Sequence, residues 1–415
     1  MTLDAFPQHA ANPYYSAEDG VLLVGGRRVT DIAAQAGRTP FYVYDRAVMT
    51  RRVAELRAAL PAGLHLHYAI KANPMPAVVQ HFRGLVDGFD VASVREIQVA
   101  LDAGMPAELI SFAGPGKTPE ELERAVAAGI VLNMESEREM ERIAAIAAIA
   151  ARVGRRPKVA IRVNPDFELK SSGMKMAGGP KQFGVDAERV PEMLRTLAGL
   201  PLEFWGFHIY SGSQNLRPEI IVDAQQKTVA LAIELSSHAP GPVRMLNLGG
   251  GFGIPYFPGD QPLDLAPIGK NLARLMPVIA AAMPQAQPCI ELGRYLVGES
   301  GVYVCRVIDR KISRGQVFLV TDGGLHHHLA ASGNFGQVIR KNYPVLIANR
   351  IGAAEKETSS VVGPLCTPLD LLGDRMELAR ADVDDLVAVF QSGAYGATAS
   401  PIGFLSHPGP VEILI

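Results

Sequence analysis

A lysine closing an apolar run is the first residue here whose setting suggests chemistry. In Tyr68-Ala69-Ile70-Lys71-Ala72-Asn73-Pro74, burying the ammonium would be costly unless it were paired or bonded covalently. An amine so placed can form a Schiff base with an aldehyde cofactor; a lysine snorkelling out at a strand end is the alternative. Leu248-Gly249-Gly250-Gly251-Phe252-Gly253 follows another apolar run. Glycines there let backbone N–H groups approach a phosphate, although the spacing is neither a Walker A loop nor GxGxxG, and a tight βα loop would use the same residues. In Glu291-Leu292-Gly293-Arg294-Tyr295 the carboxylate can keep a pyridine nitrogen protonated, making the ring an electron sink, or can pair with Arg294. His208, in Phe207-His208-Ile209-Tyr210-Ser211-Gly212-Ser213, offers a flat ring for stacking, and Ser211 can donate to phosphate. A satisfied structural histidine is the other reading.

These residues sit at the ends of short apolar runs, and the runs imply the elements that position them. FYVYD, LHLHYAIK, GFDVAS, LISFAG, GIVLNM, KVAIRVNP, FWGFHIY, MLNLGGG and PCIELG recur roughly 20 to 45 residues apart, with helical segments such as 119–129 and 136–153 between them. Repeated strand-helix units predict a (β/α)8 barrel, with a doubly wound open sheet as second choice. In a barrel, polar residues at strand C-termini share one mouth. After Arg294 the texture changes to VYVCRVIDRKI, GQVFLVTDGG, SSVVGP, DLVAVFQSGAY and VEILI, strand-like runs with few good helices. The predicted organisation is N-terminal strands over 1–40 (VLLVGGRRV at 21–29) joining the later β domain, a barrel over 41–290, and a C-terminal β-sandwich or β-barrel domain over 291–415. IAAIAAIAA at 143–151 reads as one helix.

The 415-residue length allows a large domain and a smaller one. A net charge of -2 argues against a nucleic-acid or anionic-lipid partner. MTLDAFPQHAANPYY has no basic start followed by an apolar run, so a cytoplasmic location is expected, with no membrane partner. Cys289, Cys305 and Cys366 are too few and too scattered for a disulfide framework or a CxxC metal pair. Any special role falls to one thiol. In Asp322-Gly323-Gly324-Leu325-His326-His327-His328, consecutive strand residues would point to opposite faces, so no metal is expected. One or two of these histidines are expected to line the substrate entrance.

YAIKANP, GFDVAS, GFHIYSGS, NLGGGFG, ELGRY, GPLCTP and GAYG occur in that order, and the succession resembles the diaminopimelate/ornithine decarboxylase family of fold-type III pyridoxal enzymes, over about residues 20 to 410. The resemblance implies an alanine-racemase-like barrel carrying pyridoxal 5'-phosphate, a β domain completing the site, and a head-to-tail homodimer with shared active sites. It implies that Lys71 holds the cofactor, Asp90 supports the lysine environment, His208 stacks on the ring, and Glu291 pairs with the pyridine nitrogen. Ser211, Gly249, Gly250, Gly251, Gly293 and Arg294 would surround the phosphate or lie beside it, and Tyr395 would add a hydroxyl. Cys366, in Val362-Gly363-Pro364-Leu365-Cys366-Thr367-Pro368, matches a catalytic cysteine loop reaching in from the neighbouring subunit; a buried inert thiol is what its apolar setting alone would suggest. The reaction implied is loss of a carboxylate from Cα of an L-amino acid or amino-acyl substrate, with Cys366 or a water returning a proton.

The chain departs from that family where an acidic residue normally follows the loop cysteine and reads a distal amine. Thr367 stands there, removing a charge-assisted bond to a dibasic substrate. With Gly173-Met174-Lys175-Met176, Lys181-Gln182-Phe183-Gly184 and Phe404-Leu405-Ser406-His407-Pro408, this makes the chain similar to a side branch. That branch includes decarboxylases of carrier-tethered L-glutamyl groups (butirosin synthesis), of siderophore intermediates and of exosortase-associated exopolysaccharide clusters. The expected substrate is a small amino acid or a carrier-bound acyl form, met by Arg294, Thr367, His326 and Tyr395; free meso-diaminopimelate, yielding L-lysine, is the alternative. A racemase would need opposed acid–base groups at Cα and has no use for a cysteine loop. A non-catalytic descendant should have lost Lys71 or Cys366.

Overall fold

The computed structural model describes residues 8–150, 156–167, 174–175 and 178–415. Residues 1–7 of the N-terminal stretch, residue 151 of the Ala-rich run, and Gly173 and Met176 lie outside them. The described residues divide into two compact units, those within 52–253 and 263–295, and those within 8–51, 254–262 and 296–415.

In the first unit, eight apolar runs are parallel strands: β1 (His65–Ala69), β2 (Gly88–Val91), β3 (Ile110–Phe112), β4 (Val131–Met134), β5 (Lys158–Asn164), β6 (Glu203–Ile209), β7 (Met245–Gly250) and β8 (Gln287–Leu292). Each pairs with the next in chain order, and β8 pairs back onto β1, closing a barrel. Strands enclosed in this way are buried along nearly their whole length, which is why they read as continuous apolar runs. The helices between them carry their own start signals. Pro119–Ala128 opens on a Thr118/Glu121 capping box with proline in the first turn, and Ser93 caps Val94–Asp102.

The barrel interior is graded. Val131, Ala160, Met245 and Cys289 form a buried apolar cluster. Two residues further along the same strands stand Asn133, Arg162, Asn247 and Glu291, and side chains of period two share a face. The lining therefore turns polar toward the strand C-termini. Close approach of β6 to β7 depends on Gly206 (φ 153°), where a Cβ would stand 1.8 Å from the Met245 carbonyl oxygen.

The second unit is a mixed sheet centred on Gly301–Ser313, flanked antiparallel by Gln316–Thr321, Leu386–Val389 and Phe41–Tyr44. Gln316–Thr321 continues in parallel to Lys356–Val362 and then antiparallel to Leu371–Ala379. Val411–Leu414 pairs in parallel with Phe41–Tyr44. The FYVYD run, grouped by spacing with the barrel strands, is thus a strand of this sheet. Fully buried on both faces, it looks the same in either setting. Leu371–Ala379 had no apolar run to announce it, because Gly373-Asp374-Arg375 interrupts the pattern. Ser16–Arg28 forms a small three-stranded sheet whose Leu22 N–H donates to the Ala348 carbonyl, and Leu22 and Val24 join the unit's core with Phe41, Val302, Val304 and Phe390.

Histidines 326–328 lie in a turn, not on a strand, with His327 and His328 N–H groups both donating to the Gly324 carbonyl. All three are buried. The two glycines before them explain the tight turn, since a Cβ at Gly323 would meet Tyr303 Oη and one at Gly324 would meet Asp370. His328 accepts from Ala331 N–H at Nδ1 (3.2 Å), which places its proton on Nε2, 2.9 Å from Ser392 Oγ. Burial pushes its pKa down to about 3. A depressed histidine contributes stability that is complete above the unfolded value of about 6.5 and is lost as pH falls toward the folded value. The free energy of unfolding from urea titrations should therefore fall between pH 7 and pH 4 by up to about 1.4 kcal/mol per pH unit from this group, and His328→Gln should flatten that slope. Equal slopes would contradict the assignment.

Candidate active site

The strand C-termini of the barrel surround a cavity of about 360 Å3, lined by Lys71, Asp90, Arg162, Phe183, His208 and Glu291 among others. Lys71 leaves β1 through a short 3-10 turn, Ile70–Ala72, and its side chain is exposed rather than buried. The desolvation argument thus applies to its neighbours, while the amine itself is accessible to a ligand.

Glu291 and His208 are both buried, with Oε2 and Nε2 3.1 Å apart. The approach is too oblique for a hydrogen bond, and neither ring nitrogen of His208 has an aligned partner. Asn247 Nδ2 donates to Glu291 Oε2 at 2.9 Å while its Oδ1 accepts from Gly249 N–H at 2.8 Å, so one amide links the carboxylate to the glycine turn. Burial alone would raise the Glu291 pKa. His208, Lys71 and Arg162 overcome it and hold the carboxyl well below the usual range. Arg294 begins the next short helix, just after the strand that carries Glu291.

Asp90 is buried, accepts a short hydrogen bond from Ser111 Oγ, and stands 3.4 Å from His67 Nδ1. Asn133 Nδ2 in turn donates to Ser111 at 3.2 Å, so a polar string crosses β4, β3, β2 and β1 inside the barrel. Burial would depress His67, but Asp90, with Glu291 behind it, raises its pKa above the ordinary value.

Ser211, Gly249, Gly250 and Gly251 line a second, smaller cavity. The glycines are required by packing itself: a Cβ at Gly250 would be 2.0 Å from the Glu291 carbonyl oxygen, and one at Gly251 (φ 77°) 2.1 Å from that of Gly212. Tight loop and open cradle are the same geometry. Gly293 stands where a Cβ would press on Ala72, next to the lysine.

Sequence reasoning missed the wall of the main cavity. Glu135 accepts from Arg162 Nη1 at 2.8 Å, Gly114 N–H at 2.6 Å and Gly184 N–H at 3.1 Å, tying three segments together. Lys117, fully enclosed, donates to Glu139 at 2.6 Å and to the Gly114 and Asn133 carbonyls. Arg162 and Lys117 hold Glu135 below its ordinary pKa despite burial, whereas burial wins at Glu139 and raises it. The one available signal was Arg162 itself, a cation inside the apolar run KVAIRVN.

Cys366, Thr367, His326 and Tyr395 belong to the β unit. Cys366 is exposed, while Cys289 and Cys305 are buried and burial pushes both thiols up. Tyr395 is half-buried in a left-handed backbone conformation (φ 52°). The His326 ring has no hydrogen-bond partner at either nitrogen, and burial with His327 and His407 beside it lowers its pKa to about 4. Among the described residues, no three or more His, Cys, Asp or Glu side chains are grouped to hold a metal ion.

A closed parallel barrel with an accessible lysine, a buried ionised carboxylate and a glycine cradle at one mouth defines a barrel enzyme built for a phosphorylated aldehyde cofactor. The chain belongs to the pyridoxal-dependent decarboxylases: their pyridoxal binding domain matches residues 46–298. It is 38% identical to the L-glutamyl-[BtrI acyl-carrier protein] decarboxylase of Niallia circulans, over 91% of this chain and 88% of that protein. It is 32% identical to the diaminopimelate decarboxylase of Aquifex aeolicus, over 97% and 93% respectively. Among solved structures, the diaminopimelate decarboxylase from M. jannaschi superposes with a TM-score of 0.86 at 25% identity, covering 97% of this chain and 93% of that one. The protein is thus a pyridoxal 5'-phosphate enzyme of the carboxy-lyase class. Its residues fit that cofactor, with a reachable amine, a buried imidazole that has no aligned hydrogen bond at either nitrogen, and a side-chain-free cradle around one mouth.

Proposed function

We propose that this chain removes the α-carboxylate of an L-amino acid carried as a modified or carrier-tethered acyl group, an L-glutamyl group being the first candidate. The observation that carries the reading is the convergence of Lys71, Asp90, His208 and Glu291 on one cavity. Lys71 would hold the cofactor through its amine. His208 would lie against the ring, Glu291 would hold a proton on the ring nitrogen, and Ser211 with the Gly249–Gly251 backbone would take the phosphate beside Gly293, Arg294 and Tyr395. Bound there, the cofactor supplies a sink for the electron pair left on Cα when CO2 departs. The ionised state of Glu291 suits its task, because an anionic carboxylate stabilises a protonated ring nitrogen placed beside it. Asp90, with Ser111 fixing one oxygen, would support the lysine environment. The Glu135–Arg162 tie would keep the cavity wall rigid, so that a bound substrate's α-carboxylate could be held in one orientation.

Cys366, supplied by the partner of a homodimer, would return the proton to Cα. Its exposed position on the chain supports a role at a subunit boundary. Thr367 beside it carries no charge, which favours a substrate without a distal ammonium. An exposed thiol with a chemical task fits a reducing compartment, so we place the protein in the cytoplasm; no helix among the described residues is long and apolar enough to cross a membrane.

Purified protein should release CO2 from a carrier-bound L-glutamyl group at least tenfold faster than from free L-glutamate or meso-diaminopimelate, roughly 1.4 kcal/mol of discrimination. Turnover of meso-diaminopimelate alone would overturn the substrate reading and favour the lysine-forming alternative. Deuterium exchange at Cα with the carboxylate retained would indicate a racemase instead.

A further inference from the structure

Cys366 lies in the loop 363–370 between Lys356–Val362 and Leu371–Ala379, two strands whose register closes on the Val362–Leu371 pair. The loop is folded around one carboxylate. Asp370, only 3% exposed, accepts from Leu365 N–H at 2.8 Å through Oδ2 and from Leu325 N–H at 2.5 Å through Oδ1. Its own carbonyl accepts from Gly363 N–H at 3.1 Å. The first bond ends one residue before the thiol and the second one residue before His326. A single side chain thus ties the cysteine loop to the histidine turn. Two glycines make room for it: a Cβ at Gly363 would be 2.3 Å from Oδ2, and one at Gly324 2.1 Å from Oδ1. Thr367 tightens the loop with its N–H on the Leu365 carbonyl (2.8 Å) and its hydroxyl accepting from Leu369 N–H (3.3 Å).

We propose that Asp370 is a positioning residue for decarboxylation, holding the Cys366 backbone where the thiol can deliver its proton; this rests on the role of Cys366 given above. Two charge-assisted bonds to backbone N–H groups are what a rigid apex needs. Burial raises the Asp370 pKa, and the two N–H donors with His407 nearby act against it in favour of the ionised form. Asp370→Asn keeps the shape but turns an amide NH2 toward one of them.

The test uses the holoenzyme and three variants, with kcat, KM, cofactor absorbance and thermal midpoint read for each. Cys366→Ala should lower kcat by about a hundredfold. Asp370→Asn should lower kcat roughly tenfold or more with KM within about twofold, since small misplacement of a reacting group acts on rate rather than binding. Gly363→Ala, which crowds the same carboxylate from the other side, should reproduce that split. Absorbance should be unchanged in all three, because none of the three positions is among the residues assigned to the cofactor. If Cys366→Ala is impaired while Asp370→Asn turns over like the parent, the inference is overturned and the proposed function stands. If Asp370→Asn and Gly363→Ala lose rate only together with cofactor and cooperative melting, Asp370 is structural and the inference is likewise overturned. If Cys366→Ala is fully active, the proton-donor assignment itself fails and takes the inference with it.

Discussion

Replacing Lys71 by alanine should abolish the visible absorbance band of the holoprotein and lower kcat by about a thousandfold. The lysine is exposed at the cavity end of β1, outside the barrel's buried core. The loss should therefore appear without a matching drop in thermal midpoint. Lys71→Arg should not restore it: a guanidinium keeps the charge but stays protonated and is no nucleophile. Reduction with borohydride followed by peptide mapping gives an independent check. Label on any other lysine, or turnover surviving in Lys71→Ala, would remove the basis of the proposed chemistry.

Glu291→Gln should be the next most damaging change, costing on the order of a hundredfold in kcat. Glutamine fits the same space and can still accept from Asn247, but it has no charge with which to retain a proton on the ring nitrogen. The cofactor should remain bound through Lys71, so absorbance titration would show near-normal loading beside slow turnover. A rate within threefold of the parent would mean that the carboxylate serves only to balance His208, Lys71 and Arg162. Asn247→Ala, which frees one Glu291 oxygen and releases Gly249, should give a milder loss in the same direction.

The parts of this site that could be read from the sequence are those carried by one segment at a time. Lys71, Glu291, His208 and the glycine turn each end an apolar run, and a closed barrel brings the ends of such runs together without further information. The cavity wall was opaque because its meaning lies in pairs. Arg162 lies inside β5 and Glu135 just past the end of β4, 27 residues away; Arg162 alone shows only as a cation inside an apolar run, and Glu135 alone as an ordinary strand-end charge. The interior string from Asn133 to His67 was hidden for the same reason, since LHLHY shows only alternation. Two errors share a cause. Phe41–Tyr44 was grouped with the barrel because complete burial erases the periodicity that distinguishes sheet environments. The three histidines were read as a strand because the turn at Gly323 and Gly324 is set by Tyr303 and Asp370, both distant in sequence.

The sheet of the β unit carries a consequence for biogenesis. Phe41–Tyr44 lies between Gly301–Ser313 and Val411–Leu414, so one of the first strands to leave the ribosome must wait for one of the last. The barrel, whose strands pair in order of synthesis, can close while the nascent chain is still attached. Until Val411–Leu414 has emerged, the early strand keeps an unpaired apolar edge, the kind of surface on which chaperones and aggregation compete.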